Sequence, residues 1–152
     1  MRVRLFQKKS LNEDRMDIYY RKMTEQIENV LHVIRKDRPQ LYGMDDGERI
    51  MLSIDGVYYI DTVDKKTFAY LSEKVYQIQG NLTSLEESLE EHGFCRINKS
   101  NIVNIYRIRK IRSEANMRMK VVLENGEELM ISRYYRKIFQ GYLERMRGIV
   151  HE

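Results

Sequence analysis

The chain has 152 residues, 42% of them hydrophobic and 33% charged, with net charge +4, one cysteine, three histidines and no tryptophan. That is enough for one ordinary domain with a short extension, and the lone Cys95 excludes an internal disulfide. No run of about 18 apolar residues spans a membrane, Met1 to Lys9 lack the apolar centre of a signal peptide, and no Cys/His cluster has zinc spacing, so a metal-free cytoplasmic protein without cofactor is expected.

The first 40 residues read as a strand–strand–helix extension. Val3 and Leu5 alternate with Arg2 and Arg4, Asn12 to Arg15 is a polar turn, and Met16 to Arg21 alternates again. Thr24 is placed to cap a helix whose stripe is Ile27, Val30, Leu31 and Ile34, with His32 beside it. The helix is expected to end near Asp37, since Pro39 disfavours helix in the residue before it. A segment this short has little interior of its own. It is expected to pack on the rest of the chain or on a second copy.

From Leu41 the pattern becomes β-rich. Short strands are expected at Leu41–Met44, Arg49–Ile54, Val57–Ile60, Thr67–Leu71 and Lys74–Ile78, separated by Asp45-Asp46-Gly47, Asp55-Gly56, the polar tip Asp61 to Lys66, and Ser72-Glu73. A helix follows, capped by Asn81 or Thr83, with Leu82, Leu85 and Leu89 on one face, Glu86, Glu87, Glu90 and Glu91 on the other, and Gly93 as its stop. Further strands fit Tyr106–Ile111, Met117–Leu123 and Glu128–Ile131, the last two joined at Asn125-Gly126, a type I′ signal. A closing helix from about Arg133 to Met146, capped by Ser132, carries Tyr135, Ile138, Phe139, Tyr142 and Leu143. The organisation expected is an extension over 1–40, a domain over 41–147 and a tail over 148–152.

Enzyme chemistry has no visible constellation. His32, His92 and His151 have no nucleophile or carboxylate at motif spacing, no phosphate-binding glycine fingerprint occurs, and the paired glutamates read as a solvated helix face. Cys95, beside Phe94, reads as a core residue. Charge is more telling. Between Arg96 and Arg147 stand thirteen Lys/Arg against five Asp/Glu, while the remainder is net −4. A basic segment on an acidic chain suits a polyanionic partner.

The most informative stretch is Phe94-Cys95-Arg96-Ile97-Asn98-Lys99-Ser100-Asn101-Ile102-Val103-Asn104. Three other blocks accompany it: Val57-Tyr58-Tyr59-Ile60 leading through the tip to Thr67, the Asn125-Gly126 turn, and Ile131-Ser132-Arg133-Tyr134-Tyr135. Together, over about Gly43 to Leu143, they resemble the LytTR DNA-binding domains of bacterial transcriptional regulators. The resemblance implies an α+β fold, mainly β: small stacked antiparallel sheets with a mid-domain and a C-terminal helix. Loops, not a recognition helix, would enter successive major grooves of double-stranded DNA. Residue by residue it implies DNA contacts at Lys65 and Lys66 in the tip, at Lys99 with Asn98 and Ser100 beside it, and at Arg133 with Arg136 one helical turn on. The chain departs from the family in carrying lysine where His or Asn is common. Lys99 therefore suits a phosphate or a guanine rather than the adenine that an Asn reads.

The residues support this separately. Arg133, in the first turn of a helix, would let backbone N–H groups and a guanidinium face one phosphate together. Arg96, within a strand, is expected to pair with an acid at the core edge, and Asn104 to hold a turn through its side chain. The chain shows no receiver domain, so a stand-alone regulator acting as a homodimer on repeated half-sites is expected. Two rival readings belong to other classes. One is an interaction module docking a membrane-bound or regulatory protein through the helix stripe Ile27, Leu31 and Ile34. The other is an RNA-binding β protein, against which stands the lack of an aromatic stacking pair on one strand.

Overall fold

The computed structural model describes residues 1–12, 14–35 and 38–147, the side chains of Arg35 and Arg147 excepted. The helix end expected near Asp37, His151 and the tail over 148–152 lie outside the described residues. The chain divides into two units, Met1–Asp37 and Arg38–Glu152.

In the first unit, helix α1 spans Glu25–Arg35. Thr24 starts it: its Oγ1 accepts from Ile27 N at 3.3 Å and its carbonyl from Glu28 N at 3.0 Å. The two strands expected at Arg2–Phe6 and Met16–Arg21 are not formed; no strand occurs among the described residues of this unit. Their alternation is real, but a strand needs a neighbour for its backbone groups. Leu5, Phe6 and Tyr19 are instead 90%, 83% and 92% exposed.

The second unit holds ten strands: β1 Leu41–Asp45, β2 Glu48–Leu52, β3 Tyr59–Val63, β4 Lys66–Tyr70, β5 Val75–Ile78, β6 Phe94–Arg96, β7 Asn101–Asn104, β8 Ile108–Ser113, β9 Met119–Leu123 and β10 Glu128–Ile131. Helix α2 spans Leu82–Leu89 and α3 spans Arg133–Arg147. Asn81, not Thr83, caps α2, its side chain accepting from Ser84 N at 2.9 Å. The first seven strands form one sheet in the order β2-β1-β5-β4-β3-β7-β6, and the last three a second in the order β10-β9-β8. All pairings are antiparallel. Three-residue 3-10 turns at Ile54–Gly56 and Ile105–Arg107 replace strand residues expected at the ends of β2 and β8.

Alternation along the central strands sends side chains to two separate cores. Ile60, Ala69, Ile78, Phe94 and Ile102 meet Leu82, Leu85 and Leu89 of α2 on one face. Tyr59, Cys95 and Val103 meet Val121, Leu123 and Ile131 of the small sheet and Phe139, Tyr142 and Leu143 of α3 on the other. Two polar devices, one buried and one half-buried, hold this stack together. Asn104, only 3% exposed, donates from Nδ2 to Val57 O at 2.9 Å and accepts from Tyr106 N at 3.1 Å. Arg107 donates from Nε and Nη2 to Asp55 O at 3.0 and 2.6 Å and from Nη1 to Glu124 at 3.1 Å.

The hairpin turns differ in kind. Asp64 and Lys65, joining β3 to β4, have φ of 50° and 64°, the two left-handed positions of a type I′ turn. At Asn125-Gly126 the expected type I′ turn is corrected: only Gly126 has positive φ, at 88°. Gly126 N donates to Leu123 O and Leu123 N to Glu127 O, which makes a three-residue loop with a glycine bulge. No helix among the described residues is long and apolar enough to cross a membrane. Nor do those residues gather three or more His, Cys, Asp or Glu to hold a metal ion.

Candidate nucleic-acid interface

Three stretches distant in sequence are tied to one end of the large sheet. The β3–β4 tip lies beside the loop between β6 and β7, because Asp61 pairs with Asn101 and Thr62 N donates to Ser100 O at 3.1 Å. The start of α3 joins the same loop: Ser132 N donates to Ile97 O at 3.0 Å. Asn98 closes the arrangement. Its Nδ2 donates to Asn101 Oδ1 and to Met130 O, each at 2.9 Å, and its Oδ1 accepts from Ser100 N at 2.8 Å. Both ends of the Asn98 amide are therefore engaged within the protein.

Arg96 supports the loop from below. Its Nε donates to Asn98 O at 3.2 Å and its Nη2 to Lys99 O at 2.6 Å, while Nη1 lies 3.5 Å from Glu86. The expected partner acid is thus Glu86. The two carbonyl contacts were not legible in the sequence, because they depend on the loop turning back over its own strand. With the carbonyls of Asn98 and Lys99 held, the Lys99 side chain stands exposed at the crest of the loop.

The hairpin beneath the tip is stiffened by Tyr59 and Tyr70, which stack at 4.2 Å and 7°. Tyr70 donates from its hydroxyl to Asp61 Oδ2 at 2.9 Å. Burial raises the Asp61 carboxyl above the usual range; Tyr70's hydrogen bond opposes that rise and the nearby Glu127 adds to it. Burial, aided by Asp61, pushes the Tyr70 phenol up to about 12.

Ion pairing removes some cations of the basic half but leaves others, Arg109, Lys110, Arg118 and Lys137 among them, exposed and without an ion-pair partner among the described residues. Arg112 pairs with Glu128, Lys120 with Glu114 and Glu128, and Arg145 with Glu90, which makes them structural. Lys65, Lys66, Lys99 and Arg133 are exposed and Arg136 half-buried. None of the five has an ion-pair partner among the described residues. Ser100 is exposed between Lys99 and the Thr62 contact. The seven residues singled out in the sequence thus fall on three connected segments: five carry unpaired charge, Ser100 is exposed beside them, and Asn98 holds the segments together.

Fold and edge together define an α+β domain that presents unpaired cations on β turns and a helix start. The LytTr DNA-binding domain family matches residues 47–144. The chain belongs to this family of DNA-binding regulators. It is similar to a solved LytTr DNA-binding domain from Bacillus cereus, with a TM-score of 0.66 and 24% identity, covering 70% of this chain and 97% of that one. It is also 29% identical over 139 residues to a protein of Staphylococcus aureus strain NCTC 8325 named an uncharacterized HTH-type transcriptional regulator, covering 90% of this chain and 94% of that protein. A protein of the same name in strain MRSA252 is 28% identical over 139 residues, with the same coverage. Among the described residues no two α-helices are consecutive elements, strands always intervening.

Proposed function

We propose that the chain is a sequence-specific, duplex-DNA-binding transcriptional regulator of the bacterial cytoplasm. In this reading the β3–β4 tip, the 98–100 loop and the start of α3 enter neighbouring major grooves. Lys65 and Lys66 lie along the backbone, Lys99 meets a phosphate or a guanine, and Arg133 reads a base with Arg136 on a flanking phosphate. The observation that carries it is the hydrogen-bonded union of the three segments through Thr62–Ser100, Ser132–Ile97 and Asn98–Met130. The unpaired charges of Lys65, Lys66, Lys99, Arg133 and Arg136 on those segments support an electrostatic grip on phosphates. Asn98 acts through the loop, as a positioning residue.

The apolar surface of the first unit supports a homodimer, which two repeated half-sites would require. Val33 of α1 is 64% exposed and Leu5 90%. Selection of bound duplexes from a random pool tests binding, preference and half-site spacing at once. Arg133→Ala is expected to weaken the selected site by about 1–3 kcal/mol. Retention of full affinity by folded Arg133→Ala removes that contact. Wild-type binding that does not weaken with salt refutes the DNA reading, and sedimentation as a monomer on and off DNA refutes the dimer.

A further inference from the structure

One charge on the cationic edge has the wrong sign. Asp64 is the first central residue of the β3–β4 turn, exposed, with φ of 50°. It has no ion-pair partner among the described residues, although Lys65 and Lys66 follow it directly. The left-handed turn accounts for a small polar residue there, since Asp, Asn and Gly tolerate that conformation. It does not account for the charge, because Asn and Gly serve the turn at least as well.

At the leading point of a surface that meets DNA, a carboxylate is repelled by every phosphate. It is also repelled by N7 and O6 of guanine and O4 of thymine. Only the amino groups of cytosine and adenine attract it in the major groove. Adenine sets the N7 lone pair beside its amino group, whereas cytosine offers N4 with no acceptor next to it on the same base.

We propose that Asp64 is a specificity-determining residue: it accepts a hydrogen bond from N4 of one cytosine and rejects the other three bases at that position. The inference rests on the DNA-binding reading above and assigns a base preference to its tip. The acid lowers affinity for DNA in general and recovers it at one base pair, which sharpens discrimination.

The test compares wild type, Asp64→Asn and Asp64→Gly by selection from a random pool. Anisotropy titrations then use the selected duplex and its single-base-pair variants. Both replacements suit the turn, so thermal unfolding should show folded proteins. Wild type is expected to prefer cytosine about fivefold or more at one position. Asp64→Asn is expected to shift that position to adenine, which an Asn reads through N6 and N7, and to bind unrelated duplexes about twofold or more tighter, one repulsive charge having gone. Asp64→Gly should level the four bases there to within about twofold. If either folded variant keeps the wild-type preference at every position, Asp64 reads no base and the inference falls while DNA binding stands. If wild type retains no duplex from the pool, the DNA-binding reading falls and takes the inference with it.

Discussion

Replacing Asn98 with alanine separates positioning from contact. The substitution removes three hydrogen bonds of 2.8–2.9 Å, to Ser100 N, Asn101 Oδ1 and Met130 O. Each is worth about 1 kcal/mol net, less where water can replace the lost partner. Asn98 is half-buried, so the total expected is about 2 kcal/mol, read as a lower urea midpoint at unchanged slope. DNA affinity should fall as well, because the crest carrying Lys99 loses its tie to the start of α3. If Lys99→Ala costs about tenfold, Asn98→Ala should approach that figure although no charge is removed. The decisive measurement is the double-mutant cycle. In a Lys99→Ala background, Asn98→Ala should cost much less affinity, giving a coupling of at least about 1 kcal/mol. Wild-type stability in Asn98→Ala, or affinity losses that simply add, would refute the positioning role.

The strained turn yields a prediction of opposite signs. Lys65 holds φ of 64° with a full side chain, so Lys65→Gly should stabilise the fold by about 1 kcal/mol. The same change should weaken DNA binding and flatten its log–log salt slope by about 0.9. A destabilised Lys65→Gly protein would contradict the turn assignment. Asp61 predicts a pH effect. A carboxyl whose folded pKa is raised binds more protons folded than unfolded, so stability falls as pH rises from the ordinary carboxylate range through the raised value. Asp61→Asn, which can still accept from Tyr70, should flatten that part of the urea-midpoint profile; an unchanged profile would acquit Asp61. Cys95 is 4% exposed and burial pushes its thiol up to about 12. A thiol reagent at pH 8 should therefore label it only as fast as the domain unfolds, and rapid labelling of the native protein would show the core to be open there.

The amino-acid sequence by itself determined the local elements and the family. The leucines of α2 recur at helical spacing, Asp-Gly pairs and the polar stretch Asp61 to Lys66 interrupt alternating strands, and the 94–104 block carries its motif in consecutive residues; that the tip narrows to Asp64-Lys65, with residues 61–63 and Lys66 inside the strands, came only from the pairing. Such signals lie within a few residues of one another, where propensity and turn chemistry act. The expected strands near the N-terminus do not form for the same reason: alternation is a local property, whereas a ladder needs a partner, and none pairs with Arg2–Phe6 or Met16–Arg21 among the described residues. Only the tertiary structure decided which cations remain free. Arg112 and Lys120 look like Lys99 and Arg133 in sequence, yet Glu128 pairs with both across the small sheet and Glu114 pairs with Lys120 as well. The role of Asn98 was likewise hidden, because one of its partners is a backbone carbonyl at Met130. Backbone acceptors have no residue-type signature, so a contact made to them over such a separation becomes visible only when the sheets are assembled.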